Sequence, residues 1–247
     1  MPTAVQVTVL GSGDAFGADG RLHSAYLVES PGATFVVDCG STVLHGLKRR
    51  GIDPARIDFV VLSHLHGDHF GGVPFLFMDF LYQSRRTRPI TIYGPPGTER
   101  RVCELFAALY QRQALDPLPY RVGFVDLHPG TTDVQGVTLE TFAVPHVAEL
   151  TCYGFRIGVA GKTIVYSGDT GWTDDLAARS RGVDLFICEC STFETRLPIH
   201  ISYPEIAARA ASLGCRRLLL SHLGAEVLRH RDEITLEIAE DGMVIPL

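Results

Sequence analysis

Six consecutive residues, His64 to His69 (HLHGDH), constrain this chain more than any other segment, because four of their side chains are common metal ligands. In an extended segment, His64 and His66 leave the backbone on the same side. Gly67 then allows the chain to turn, so Asp68 and His69 point in another direction. This spacing predicts two metal ions about 3.5–4 Å apart, each held partly by this segment.

Three more ligand-type residues follow apolar runs that fit β-strands further along the chain. They are His146, Asp169 and His222. Strand ends are where a rigid scaffold presents side chains to a cleft. Each residue alone also fits a surface or capping role, but together with the HLHGDH segment they complete a set of seven ligands.

These motifs resemble the metallo-β-lactamase superfamily, and the resemblance covers nearly the whole chain. The matching segments are residues 38–40 (DCG), 63–69, 144–146 (VPH), 167–170 (SGDT) and 221–222 (SH). The resemblance implies an α/β fold, a four-layer αββα sandwich in which two sheets pack face to face with helices outside. It also implies one metal held by His64, His66 and His146, a second held by Asp68, His69 and His222, and Asp169 bridging the two.

The ligand set indicates hydrolysis. Two cations that share a carboxylate lower the pKa of a bound water and supply a bridging hydroxide at neutral pH. All seven ligands offer nitrogen or oxygen, which suits two zinc ions and does not exclude manganese or iron. Diiron oxygen-reducing relatives usually carry glutamate at the position of His66, which disfavours a redox function. Asp38 fits either an acceptor for the far N–H of a ligand histidine or a simple turn residue.

Two residues outside the ligand set bear on the substrate class. Glu189 ends an apolar run, and His200 precedes residues 202–205 (SYPE), which fit a capping box at the start of a helix. Residues 189–193 (ECSTF) and 200–202 (HIS) resemble the ribonuclease Z branch of phosphodiesterases. That resemblance implies that Glu189 orients His200 and that His200 protonates the leaving oxygen, with Asp68 as a third catalytic candidate. A solvated loop histidine is the alternative for His200.

Departures from that branch point to a small substrate. No long glycine- and proline-rich insertion that could hold transfer RNA is visible, and a net charge of −6 provides no basic field for a large RNA. The densest basic run, Arg85, Arg86 and Arg88, fits a solvated helix end as well as a phosphate contact. The sequence favours a phosphodiesterase for a small or cyclic phosphodiester. Three alternatives remain. They are an ester, thioester or lactone hydrolase, a tRNA 3′-processing enzyme whose binding surface comes from a partner, and a non-catalytic metal-binding protein.

We expect the 247 residues to form one hydrolase domain, residues 1–247, since 46% of them are hydrophobic. No segment resembles a membrane span, and the start has no basic region before an apolar stretch, so no membrane contact and a cytoplasmic location are expected. The six cysteines are expected to be free thiols. Apolar side chains over residues 70–82 cover more than one helical face, which predicts a homodimer, with core packing as the alternative.

Apolar patterns predict strands near residues 5–10, 24–28, 34–38, 58–62, 90–93, 122–127, 137–144, 152–159, 162–167, 184–190 and 216–221. They predict helices near 41–50, 72–83, 98–112, 174–180 and 203–213. Two glycine-rich segments look like phosphate-binding motifs but lack the required context. Residues 11–17 precede a strand pattern instead of a helix, and residues 161–163 fit a hairpin turn.

Overall fold

The computed structural model describes residues 4–111 and 118–247, and it confirms the αββα sandwich. Within these ranges two β-sheets pack face to face, and helices cover the outer face of each sheet. No helix in the same ranges is long and apolar enough to cross a membrane. All six cysteines are free, as the sequence predicts.

The first sheet contains seven of the described strands. They are β1 (Gln6–Gly11), β2 (Ala25–Glu29), β3 (Thr34–Cys39), β4 (Phe59–Val61), β5 (Ile90–Gly94), β6 (Val122–Asp126) and β13 (Val244–Pro246). Their order in the sheet is β13-β1-β2-β3-β4-β5-β6, and β3 to β6 are parallel.

The second sheet contains the other six. They are β7 (Gly130–Val134), β8 (Val137–Ala143), β9 (Tyr153–Val159), β10 (Lys162–Tyr166), β11 (Leu185–Glu189) and β12 (Leu218–Ser221). Their order is β12-β11-β10-β9-β8-β7, with β10, β11 and β12 parallel. In both sheets, therefore, several parallel strands deliver their carboxyl ends to one edge.

Helices lie outside the two sheets. They are α1 (Val43–Arg49), α2 (Gly67–Phe70), α3 (Val73–Tyr82), α4 (Thr98–Tyr110), α5 (Asp174–Ser180), α6 (Tyr203–Ala207) and α7 (Ala225–Arg229), with short 3₁₀ turns at Ala18–Gly20, Pro54–Arg56, Ala210–Ser212 and Arg231–Glu233. Residues from α1, α3 and α4 share one core cluster with the first sheet, while residues from α5 to α7 share another with the second.

The strands have apolar side chains on both faces because each sheet is covered on both sides. In β3, Phe35 and Val37 point into the core between the sheets, whereas Val36 packs against the helices. Alternate residues of one strand thus serve two different cores. This arrangement holds the strand ends rigidly, which is what a metal site at those ends requires.

Several predicted elements differ from the structure. The sequence pattern does not predict β7, β13, α2 or α7, because β7 is polar and largely exposed and the other three are only three to five residues long. The helix predicted over residues 203–213 is wrong in length, since α6 ends at Ala207. Residue 112 of another predicted helix lies outside the described residues. The glycine segment at residues 11–17 does lead into strand β2, and residues 160–161 form the turn between β9 and β10.

Arg86 and Arg88, in the basic run after α3, make contacts within the protein, although the side chain of Arg88 is 54% exposed. Arg86 is buried and donates hydrogen bonds to the backbone carbonyls of residues 55, 57, 88 and 89. Arg88 forms an ion pair with Asp58. Two of the three arginines therefore hold the loop around residues 53–58 against the start of β5.

Candidate metal centre and acid–base pair

The seven predicted ligands lie together at one end of the sandwich. The HLHGDH segment follows β4, His146 follows β8, Asp169 follows β10 and His222 follows β12. His66 has an extended backbone and Gly67 begins α2, so Asp68 and His69 project from a helical turn, as the spacing suggests. The structure thus brings residues from both halves of the chain to the mouth between the sheets.

His64, His66 and His146 form the first group. Each offers one ring nitrogen, and these nitrogens lie within 4.8 Å of one another. Nδ1 of His66 lies 3.1 Å from Nε2 of His64 and 3.3 Å from Nε2 of His146. Burial lowers the pKa of His64 well below its usual value, which favours the neutral imidazole that coordinates metals.

Asp68, His69, Asp169 and His222 form the second group, again within 4.8 Å. Asp169 is the residue that joins the two groups. Its Oδ1 lies 3.3 Å from Nε2 of His69, and its Oδ2 lies 3.3 Å from Nε2 of His222. The same Oδ2 is 3.9 Å from Nε2 of both His64 and His146, so this carboxylate faces both groups at once.

The far nitrogen of most of the predicted ligand histidines is held by a neighbour, with His66 as the exception among the described residues. Nδ1 of His64, His146 and His222 lies 3.0 Å from an oxygen of Ser63, Ile199 and Ser24, respectively. These contacts aim the Nε2 atoms of the three rings at the cluster. Such outer partners fix the ring orientation of metal-binding histidines.

Asp38 holds His69 in the same way. Its Oδ2 accepts hydrogen bonds from Nδ1 of His69 at 2.7 Å, from the hydroxyl of Tyr166 at 2.6 Å and from the hydroxyl of Ser63 at 2.7 Å, and its Oδ1 accepts from the Ser63 N–H. Of the two roles weighed for Asp38, the acceptor role matches the geometry. The sequence does not predict this role for Tyr166, because the residue lies in an apolar run and nothing local distinguishes it from a core tyrosine.

The cluster fits divalent metal binding. Nε2 of His69 and Oδ1 of Asp169 are buried and lie 3.3 Å apart, yet neither atom makes a hydrogen bond of acceptable geometry to any described residue. Burial opposes a charge on His69, but the carboxylates of Asp169, Asp68 and Asp38 outweigh it and raise the pKa of His69 well above its usual value. The pocket therefore favours positive charge. Two unpartnered ligand atoms in such a pocket match the nitrogen and oxygen donors that zinc accepts.

Backbone conformation sets the position of Asp169. Gly168, directly before it, has a φ of +61°, and a Cβ at this position would lie 2.4 Å from the carbonyl oxygen of Tyr153. Only glycine tolerates both the left-handed conformation and the close approach. His222 also has a positive φ, +53°, which is uncommon for a residue with a side chain and is typical of functional sites.

Glu189 and His200 form a pair beside the cluster. Oε1 of Glu189, whose side chain is only 1% exposed, lies 2.8 Å from Nδ1 of His200. The ring of His200 packs near those of His146 and His222, with centroids 4.9 and 5.8 Å apart. Burial disfavours the imidazolium, but the hydrogen bond and charge of Glu189 outweigh it and raise the pKa of His200 to about 9. A ring nitrogen of His200 also lies within 4.8 Å of ligand-type atoms of His146 and Asp169, so the pair borders the cluster.

The capping box expected after His200 does not form. Ser202 is the N-cap of α6, but its side chain makes no capping hydrogen bond. Its hydroxyl instead accepts a hydrogen bond from Arg196 in the preceding loop. The S-x-x-E pattern therefore predicts the correct start of the helix. It does not predict that the Ser202 hydroxyl bonds to a side chain of the preceding loop instead of capping the helix.

With this geometry established, comparison with known proteins places the chain. A sequence profile of the family described as anti-Pycsar protein Apyc1 matches residues 5–242. The chain belongs to this family. The protein Rv1339 of Mycobacterium tuberculosis is 37% identical over 232 residues, which cover 89% of this chain and 81% of Rv1339.

Solved structures agree with the fold. The probable metallo-hydrolase YhfI of Bacillus subtilis is 32% identical over 228 residues, which cover 89% of this chain and 87% of YhfI. The crystal structure of YhfI, a metallo-β-lactamase fold protein, matches over 100% of both chains with a TM-score of 0.77 and 27% identity. The short form of human tRNase Z matches with a TM-score of 0.77 and 25% identity, over 97% of this chain and 98% of that one. The resemblance to the metallo-β-lactamase superfamily is confirmed, and the chain has a metallo-hydrolase fold.

Proposed function

We propose that this protein is a metal-dependent phosphodiesterase that hydrolyses a small or cyclic phosphodiester. The observation that carries the proposal is the Glu189–His200 pair beside the predicted dinuclear site. A thioester, or an ester with a good leaving group, does not need a proton donor at that point, whereas a departing alkoxide does. The ligand assignments and the catalytic roles of Asp68, Glu189 and His200 are predictions.

In this proposal two divalent ions, with zinc favoured, are held by the seven ligands. When bound, such ions lower the pKa of a water molecule and polarise the phosphoryl oxygen. Glu189 accepts the Nδ1–H of His200 and so orients its ring. Glu189 also accepts a hydrogen bond from the Thr170 N–H at 2.6 Å, which ties the Glu189–His200 pair to the segment just after Asp169. Nε2 of His200 donates its proton to the leaving oxygen as the P–O bond breaks. Asp68 completes the second group of ligands.

The charge distribution supports a small substrate over a large RNA. The net charge is −6, and within the described ranges Arg86 and Arg88 are engaged by backbone carbonyls and Asp58. A protein that holds a long nucleic acid needs several free cations along its surface to contact phosphates. tRNA 3′ processing would therefore require a binding surface from a partner.

A parallel assay separates the phosphodiesterase from its rivals of the same fold. We expect the zinc- or manganese-loaded protein to hydrolyse bis(p-nitrophenyl) phosphate and a nucleoside cyclic phosphodiester, and to act weakly on a lactone and a thioester. The measurement is kcat/KM for each of the four substrates at one pH. A preference for the thioester or lactone would contradict the proposal, because a fold alone does not fix the substrate.

We also propose a homodimer. Phe70, Phe77 and Phe80 are buried in the protein's own core, so core packing accounts for much of the apolar segment. Tyr82 is nevertheless 60% exposed, and Phe75, Met78 and Leu81 are only partly buried beside it. An apolar patch of this kind is typical of an interface. We expect sedimentation to give a dimer at micromolar concentration, with Tyr82→Glu shifting it toward monomer; a wild-type monomer with full activity would contradict this.

A further inference from the structure

The loop that carries His200 has little packing of its own. It leaves β11, spans residues 193–200 without regular structure, and returns to α6, and its residues 194–198 are exposed to solvent. Its two ends are joined by the pairing of Thr192 with Ser202 and by a hydrogen bond from the Tyr203 N–H to the Thr192 carbonyl at 2.8 Å. A loop with so few buried contacts needs another source of order to hold a catalytic ring in place.

One carboxylate on a neighbouring helix makes four of the hydrogen bonds that order the loop, in addition to the contacts of Arg196 with Ser202 and of His146 with the Ile199 carbonyl. Oε2 of Glu226, on α7, accepts hydrogen bonds from the backbone N–H groups of Phe193, Glu194 and Thr195 at 3.0, 3.1 and 3.0 Å. Its Oε1 accepts a further bond from the hydroxyl of Thr195. Successive N–H groups that converge on one anion form a nest, and bonds to a charged acceptor are about twice as strong as neutral ones.

An aromatic stack reinforces the same end of the loop. The ring of Phe193 lies nearly parallel to that of His230 at 4.1 Å and to that of Tyr203 at 5.4 Å. Nδ1 of His230 is held in turn by Glu233 at 2.7 Å. The loop is thus clamped from the segment of residues 226–233 by hydrogen bonds on its backbone and by ring contacts on Phe193.

The clamping segment begins at the predicted metal site. His222 is followed by Leu223 and Gly224, and a Cβ on Gly224 would lie only 2.1 Å from the carbonyl oxygen of Ser191. Glycine is needed here because the two backbones touch. The hydroxyl of Ser191 contacts both Oε2 of Glu189 at 2.9 Å and Nδ1 of His200 at 3.3 Å. One continuous set of contacts therefore runs from His222 to His200.

We propose that Glu226 is a positioning residue that fixes the 193–200 loop and so holds His200 against Glu189, ready for proton transfer. The expected effect on kcat rests on the proposed function, whereas the ordering of the loop does not. The hydrogen bonds from Thr195 and from the three N–H groups lower the pKa of Glu226 to about 2, so the anchor stays ionised at any ordinary assay pH. Preorganisation of this kind removes the ordering cost from the catalytic step.

The test uses Glu226→Ala, with Glu226→Gln expected to restore part of the effect because it keeps an acceptor without the charge. Glu237→Gln is the matched control, since Glu237 accepts two hydrogen bonds from Arg217 and touches no part of the loop. We expect Glu226→Ala to keep the metal content of the wild type. We also expect it to lose roughly 10- to 100-fold in kcat on a nucleoside cyclic phosphodiester, with KM little changed and a much smaller loss on bis(p-nitrophenyl) phosphate.

Hydrogen exchange and ring NMR provide a readout that does not depend on activity. In Glu226→Ala the amides of residues 193–195 should exchange much faster than in the wild type, and the Nδ1–H signal of His200 bound to Glu189 should weaken. Thr195→Val removes only the hydrogen bond from the Thr195 hydroxyl to Glu226 and should show a smaller change in the same direction. It replaces Glu226→Ala as the test variant if Glu226→Ala fails to fold. Unchanged exchange and an unchanged His200 signal, or equal kinetic losses on both substrates, would overturn the anchor. A wild type inactive on both phosphodiesters would instead refute the proposed function, while the exchange data would still decide the anchor.

Discussion

Asp169→Ala is expected to lose at least one of two metal ions per chain and nearly all hydrolytic activity. The reason is geometric, since the Asp169 carboxylate lies within 3.3 to 3.9 Å of ring nitrogens from both ligand groups. Among the described residues, no other carboxylate has an ion-pair distance to histidines of both groups. We expect the rate to fall by more than the ~10- to 100-fold typical of outer partners of a metal site.

Elemental analysis of the purified variant measures the loss directly. Asp133→Ala is the matched control, because Asp133 is an exposed aspartate in strand β7, outside the ligand groups, and the variant should keep both ions and full activity. Asp169→Asn keeps the shape of the side chain and separates loss of charge from loss of packing. If Asp169→Ala retained both ions and its rate, the assignment of Asp169 as the bridge would be wrong.

The close approach of the seven candidate ligands could be predicted because their pattern is local. Four candidate ligands occupy six residues, and the other three stand at the ends of apolar runs that the structure shows to be strands β8, β10 and β12. Alternation of apolar residues places most strands correctly for the same reason. Short or polar elements such as β7 and α7 cannot be predicted in this way, because they bury too few side chains to produce a periodic apolar pattern.

Other parts of the site depend on contacts between distant residues. The hydroxyl of Tyr166 donates to Asp38 across 128 positions of sequence, and the N–H groups that Glu226 accepts lie 31 to 33 positions away. Neither contact has a local signature, since a tyrosine in a strand and a glutamate on a short helix are ordinary residues. Arg86 misleads in the opposite direction. The sequence suggests a solvated arginine, but in the structure its guanidinium donates hydrogen bonds to four backbone carbonyls.

His200→Ala is expected to keep its metal ions and to lose roughly 10²–10⁴-fold in rate on substrates with a poor leaving group, the usual size of general-acid catalysis. The ring of His200 also lies near ligand atoms of His146 and Asp169, so metal content distinguishes an acid from an eighth ligand. Glu189→Gln should show a milder loss of the same kind, because it weakens the 2.8 Å contact that orients the ring.

The leaving-group dependence of His200→Ala tests the central claim most directly. The measurement is the ratio of wild-type to variant kcat/KM, taken for a nucleoside cyclic phosphodiester and for bis(p-nitrophenyl) phosphate on equally metal-loaded protein. Nitrophenolate departs without a proton, whereas an alkoxide needs one, so the ratio should be much larger for the cyclic phosphodiester. Equal ratios on the two substrates would contradict the account, since His200 would then serve binding or structure instead of proton transfer.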